Sequence, residues 1–272
     1  MNKDELMEMY IELLKKTLTR TITKNCYSAF PNYMIPENQR AAFENLQKQN
    51  IFLTMKIPAK DRILGKDWPL DAETMAGRMR LDNIHYCILD VLSQGVPGDL
   101  IETGVWRGGT VIFMRALLKV YGIKDRNVWV ADSFQGVPKP DEETYPHDAE
   151  NPLWSDPELS VSMETVKENF ASYGMLDEQV KFLPGWFRDT LPGAPVDKLA
   201  VLRLDGDLYE STIVALEALY HKVSPGGYLI VDDYVLPGCK LAVQEFRDKN
   251  NIKDEIILID ETSAYWKVES AL

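Results

Sequence analysis

Cysteine is scarce in this chain of 272 residues: Cys26, Cys87 and Cys239 are too few and too scattered for a disulfide framework or a thiolate metal site. No apolar run approaches the roughly 20 residues needed to cross a bilayer, and no secretory leader pattern opens the chain. A soluble cytoplasmic protein is the expectation. Positive charge is also short, since 30 Lys and Arg face 42 Asp and Glu, for a net charge of −12. That balance excludes a nucleic-acid groove and a polybasic membrane patch, both of which need an excess of cations. Low-complexity tracts and internal repeats are absent as well. What remains is a 45% hydrophobic composition, enough for one sizeable core with an appendage.

The chain divides in two by pattern. Residues 1–72 open with Leu6, Tyr10, Leu13, Leu14 and Leu18 at helical spacing, a helix that packs on the body or on a second subunit of a homodimer or higher homo-oligomer. Residues 26–71 are irregular, with prolines at 31, 36, 58 and 69, and read as a lid over a binding site. From residue 73 to 272, helical and extended patterns alternate. Helices are expected at 73–94, 110–121, 160–173 and 211–222, and strands at 99–102, 127–131, 179–183, 199–204 and 227–231. The segments 255–259 and 263–267 read as a terminal hairpin. Short apolar strands separated by helices predict an α/β fold, a mostly parallel sheet covered on both faces. Ligands in such sheets bind beyond the carboxyl ends of the strands.

Four strand ends carry unusual chemistry. The first, Glu102 through Thr110, is a glycine-rich turn with Gly104, Gly108 and Gly109, preceded by an acid. It lacks the spaced glycine triplet that seats a pyrophosphate, which disfavours a dehydrogenase. An acid there suits a sulfonium ligand with an amino-acid end. The second is Asp132, 30 residues beyond Glu102, placed to accept both ribose hydroxyls of an adenosine. The third, Gly185-Trp186-Phe187, offers aromatic surface where an adenine would lie. The fourth joins two strands: Asp205 and Asp207 follow one, and Asp232 and Asp233 follow the next. If these strands are neighbours, three carboxylates converge, and like charges so close need a counterion. An all-oxygen set suits magnesium, with manganese as a substitute, and no His/Cys cluster offers a zinc site.

The runs LIETGVWRGG (100–109), ADSFQGVP (131–138), FLPGWFRDTLP (182–192), LDGDLYES (204–211) and GGYLIVDDY (226–234) resemble the macrocin O-methyltransferase family. TMAG (74–77) and RLDN (80–83) are similar to that family's first cofactor-contacting helix. The resemblance covers about residues 73–267. It implies a class I methyltransferase fold with S-adenosylmethionine as donor, magnesium dependence, and a sugar hydroxyl on a secondary metabolite as acceptor. It further implies Asp205, Asp232 and Asp233 as metal ligands, with Asp205 also the general base. Thr74, Met75, Glu102, Thr103, Gly104, Val105, Thr110, Asp132, Ser133, Gly185, Trp186 and Phe187 would line the cofactor pocket. The acceptor would be chosen by the lid and the loop 139–158. A catechol presents the same pair of adjacent oxygens as a sugar diol, so a phenolic methyltransferase is the nearest alternative. A non-catalytic S-adenosylmethionine-binding protein is the other, and the intact acid set argues against it.

Overall fold

The computed structural model describes residues 2–30, 34–49, 51–270 and 272. Helix α1 (Lys3–Leu18) starts at a capping box, in which Asn2 Oδ1 accepts from the Glu5 amide and the Glu5 carboxylate accepts from the Asn2 amide. That reciprocal pair satisfies donors that a helix start leaves free. The segment read as an irregular lid has structure of its own: β1 (Cys26–Ala29), α2 (Arg40–Lys48), β2 (Thr54–Ile57) and α3 (Ala59–Ile63). Strands β1 and β2 form an antiparallel pair apart from the main sheet. Three of the four residues of β2 are exposed, so the strand carries no apolar alternation by which to recognise it. Residues 31–33, including Pro31, and residue 50 lie outside the described residues. Buried Arg62 ties the segment together, donating from Nε to Asp67 at 2.8 Å and from Nη2 to the Tyr27 carbonyl at 2.8 Å.

Helix α4 (Arg78–Ser93) begins later than the helix expected from residue 73. Thr74 Oγ1 accepts from the Ala76 amide at 2.9 Å, and Gly77 is extended (φ −74°, ψ 176°), so residues 74–77 approach the helix as a turn. The core continues as β3 (Asp99–Thr103), α5 (Gly109–Val120), β4 (Val128–Asp132), α6 (Met163–Ser172) and β5 (Val180–Pro184). It ends as α7 (Phe187–Thr190), β6 (Leu199–Leu204), α8 (Tyr209–Leu219), β7 (Val223–Val231), α9 (Pro237–Lys249), β8 (Ile257–Leu258) and β9 (Ala264–Lys267). The helix expected at 160–173 is shortened by its cap: Ser162 Oγ accepts from the Thr165 amide at 3.1 Å. Helix α9 had no counterpart in the sequence reading.

The seven strands of the main sheet lie in the order β5-β4-β3-β6-β7-β9-β8. Strands β3 to β7 are parallel, and β9 runs antiparallel to both its neighbours. The expected terminal hairpin is therefore present. Alternation along the strands sends Leu100, Val128, Val201 and Ile230 to the face covered by α1, α4 and α5. It sends Ile101, Leu202, Leu229 and Val231 to the face covered by α8 and α9. Each such aliphatic side chain contributes about 1.5–3 kcal/mol by leaving water. The chain runs outward from β3 through β4 to β5, then returns to the other side of β3 as β6. The site belongs where the direction reverses, at the carboxyl ends of β3 and β6. No helix among the described residues is long and apolar enough to cross a membrane.

Candidate active site

A cavity of about 360 Å³ opens at these strand ends. The turn after β3 touches the turn after β6 at Gly104. Its φ is +88°, and a Cβ there would lie 1.6 Å from the Asp205 carbonyl oxygen, so only glycine permits the contact. Trp106, Phe134 and Asp207, in the turns after β3, β4 and β6, also hold positive φ (47°, 55° and 61°) without being glycine. Backbone of this kind costs about 1–3 kcal/mol per residue and gathers at ligand sites.

Thr74, Met75, Glu102, Gly104, Val105, Thr110, Asp132, Ser133, Trp186 and Phe187 all line this one cavity. Thr103 and Gly185, expected with them, do not line it. The Thr103 carbonyl accepts from the Asp205 amide at 2.9 Å, and the Gly185 amide donates to the Asp132 carbonyl at 2.9 Å. Both therefore hold lining residues in place.

Glu102 is 1% exposed. One of its oxygens accepts from Thr110 Oγ1 and the other from Arg203 Nη1. Burial pushes its carboxyl up to about 7, Asp205 and Asp232 add to the rise, and Arg203 opposes it. Asp132 Oδ2 accepts from the Val105 amide and Oδ1 from the Phe134 amide, both at 2.7 Å. Burial raises the Asp132 carboxyl, and these amide bonds resist the rise. These bonds lock its orientation, and Ser133 Oγ adds a longer one to Oδ1 at 3.5 Å.

Asp205, Asp232 and Asp233 each present a carboxylate oxygen, and the three atoms lie within 4.8 Å of one another. Asp232 is crossed by two cations: Oδ2 accepts from Arg80 Nη1 at 2.6 Å, and Oδ1 accepts from Arg203 Nη2. Arg80 on α4 also donates from Nε to Asp260 at 2.8 Å. Asp205 Oδ2 accepts from Arg203 Nη1 at 2.7 Å. Asp233 Oδ2 accepts from the Asp207 amide at 3.0 Å. The Asp207 carboxylate makes no side-chain hydrogen bond among the described residues and faces the cavity. Burial raises the carboxyls of Asp205, Asp207 and Asp233, the neighbouring acids raise them further, and Arg203 opposes the rise at Asp205. Glu102, Asp205, Asp207, Asp232 and Asp233 thus line one cavity, with Arg80 in the same lining and the buried Arg203 behind it. The negative excess, the all-oxygen donors and their spacing fit a hard divalent cation.

The sequence reading missed three members of this group. Asp207 shares the acidic turn of Asp205, Arg80 falls inside the motif RLDN, and Arg203 is the lone charge of an apolar strand, so local pattern alone gives none of them this role. Apolar residues line the cavity as well. Trp68 comes from the segment 26–71 and Leu153 from the loop 139–158, and Trp106, Val137, Pro138 and Leu159 belong to the same lining. Lys66, also in the lining, makes an exposed ion pair with Glu261 at 2.6 Å.

A family model described as Macrocin-O-methyltransferase (TylF) matches residues 7–268. The chain is 46% identical over 269 residues to 8-demethyl-8-(2,3-dimethoxy-alpha-L-rhamnosyl)-tetracenomycin-C 4'-O-methyltransferase of Streptomyces olivaceus, covering 98% of this chain and 95% of the other. It is 45% identical over 264 residues to Mycinamicin III 3''-O-methyltransferase of Micromonospora griseorubida, covering 96% of each. Among solved structures it is similar to the O-methyltransferase NovP, with a TM-score of 0.84 and 46% identity over 97% of this chain and 100% of that one.

Proposed function

The chain belongs to the macrocin O-methyltransferase family, and from that premise we propose that it moves the methyl group of S-adenosylmethionine to a sugar hydroxyl of a glycosylated secondary metabolite, with magnesium or manganese beside the acceptor. Its sheet is the class I methyltransferase fold. The observation that carries the proposal is the meeting, in one cavity, of a donor pocket around Glu102, Gly104 and Asp132 with the carboxylates of Asp205, Asp232 and Asp233. Two relatives of nearly equal identity, 46% and 45%, are named for O-methylation at different positions, 4' and 3''. Overall identity therefore says nothing about which hydroxyl is used here, and the apolar residues that segment 26–71 and the loop 139–158 bring to the cavity are where that choice would be made. The tetracenomycin relative is named for a rhamnosyl compound, which favours a sugar over a phenolic acceptor.

S-adenosylmethionine supplies an already activated methyl group, so the protein's work is positioning and proton removal. Glu102 would take the donor's ammonium, Asp132 its ribose hydroxyls, and Trp186 with Phe187 the adenine face. A divalent cation held by Asp205, Asp232 and Asp233 would supply Lewis acidity, making the acceptor hydroxyl a far stronger acid. The geometry favours dividing the roles that the sequence reading combined in Asp205. Asp205 has one oxygen committed to Arg203 and stands among the cation's oxygens, whereas the Asp207 carboxylate is uncommitted and faces the cavity. Asp207 would accept the hydroxyl proton while the methyl carbon leaves sulfur for oxygen.

Calorimetric titration tests the donor half: S-adenosylhomocysteine should bind and NAD should not. Asp132→Ala should weaken S-adenosylhomocysteine by about 1.5–3 kcal/mol, the loss expected for hydrogen bonds to a charged acceptor. Unchanged affinity in that variant would remove the ribose assignment.

A further inference from the structure

Every side chain of β6 is buried, and the strand is apolar except at Arg203, which is 1% exposed. A guanidinium at that depth costs several kcal/mol unless it is paired with good geometry. Its pairing follows from the sheet register. Arg203 lies directly beside Glu102 on β3 and beside Ile230 on β7, so Asp232, two residues past Ile230, returns to the same face. One planar fork thereby reaches three acids. Nη1 donates to Glu102 and to Asp205, and Nη2 donates to Asp232. Nε, buried with them, has no partner among the described residues. Three of the acids assigned above to two different ligands are thus oriented by one side chain that lines neither site.

We propose that Arg203 is a positioning residue that sets the donor site and the cation site together, holding Glu102 for the donor's ammonium and Asp205 with Asp232 for the metal. This rests on the reading of those acids given above. The alternative role is simple charge neutralisation, and the two roles predict opposite signs. A fixed positive charge beside a site for cations repels them, so if charge were all that Arg203 supplied, removing it would tighten both ligands. If the fork positions the acids, removing it lets three like charges separate or take up protons, and both ligands weaken. Lysine separates the two further, because it keeps the charge but lacks the planar fork.

The test uses the full chain as wild type, Arg203→Met, Arg203→Lys and Arg115→Met. Arg115, on α5, makes a partly buried pair with Asp177 at 2.6 Å and controls for the loss of an internal ion pair. Mn²⁺ binding is followed by electron paramagnetic resonance, S-adenosylhomocysteine binding by calorimetry without metal, and folding by thermal unfolding. Both Arg203 variants should bind Mn²⁺ about 10–100-fold more weakly, the usual cost of losing a group that orients ligands. Both should also bind S-adenosylhomocysteine about tenfold more weakly or worse. Arg115→Met should lose stability and keep both affinities. If Arg203→Met does not fold, Arg203→Lys, which retains the buried charge, carries the test. Tighter Mn²⁺ binding in Arg203→Met, or full affinity for both ligands in Arg203→Lys, would overturn the proposal. A wild type that binds S-adenosylhomocysteine but no Mn²⁺ would remove the cation reading and with it the two-site claim. That outcome is distinct from a wild type that binds both ligands and variants that do so equally well, which would sink the role of Arg203 alone.

Discussion

Asp207→Asn should lower kcat by about 10²–10⁴-fold, the range for loss of a positioned general base, while S-adenosylhomocysteine and Mn²⁺ bind as in the wild type. The amide is nearly isosteric with the carboxylate and cannot take the proton. The backbone restraints at this position are independent of the side chain, because the Asp207 amide donates to Asp233 and its carbonyl accepts from Asn151 at 3.2 Å. The substitution should therefore leave the turn in place. Asp205→Asn is the informative comparison. If Asp205 serves the cation alone, its variant should lose Mn²⁺ affinity and recover part of its rate in excess metal. A variant of Asp205 that binds metal normally and stays inactive would return the base role to that residue.

Chelation should reduce methyl transfer by about 10³-fold or more, since activation of the acceptor by a metal is worth several kcal/mol, and added Mg²⁺ or Mn²⁺ should restore it. The cause lies in the acceptor: a sugar hydroxyl is too weak an acid for a carboxylate to deprotonate unaided. Asp232→Asn and Asp233→Asn should weaken the metal and respond to excess of it. S-adenosylmethionine should still bind the chelated protein, because the residues assigned to it stand mainly on β3, β4 and the turn after β5. Metal should also raise the midpoint of thermal unfolding, since it binds the folded arrangement of acids and not the unfolded chain. A chelated protein that keeps its full rate would leave the acids as a cap-and-turn cluster.

The parts of the fold legible in the sequence were those whose local pattern and tertiary role agree. Strands such as Leu100-Ile101 and Val128 to Val130 are continuous apolar runs because both faces of the sheet are covered. The acids after them were legible because an acid that ends a buried strand has little reason to be there except a ligand or a cap. Other parts were hidden for identifiable reasons. Helix α9 opens with Pro237 and Gly238, which in isolation read as a loop, although proline suits the first turn of a helix. Residues 74–77 have a composition that allows a helix, and the turn made by Thr74 is a side-chain event with no periodic signature. Strands β1 and β2 are too short and too exposed to alternate.

The site was legible one residue at a time but not as a network. Arg203 gave a usable signal, a lone charge within Leu199–Leu204, since a buried guanidinium implies buried acids. Naming those acids required the register of β3, β6 and β7, which only the assembled sheet supplies. Arg80 reaches Asp232 from 152 residues away in sequence for the same reason.

Transfer of a labelled methyl group tests sugar O-methylation most directly. S-adenosylmethionine carrying a ¹³C methyl would be given with Mg²⁺ and a panel of deoxyhexosyl glycosides, each beside its free aglycone and a simple catechol. Nuclear magnetic resonance would then locate the new methoxy carbon. The account predicts label on a single sugar oxygen, on glycosides only, and none when the metal is chelated. Label on a phenolic oxygen of an aglycone or of the catechol, with the sugars untouched, would contradict it.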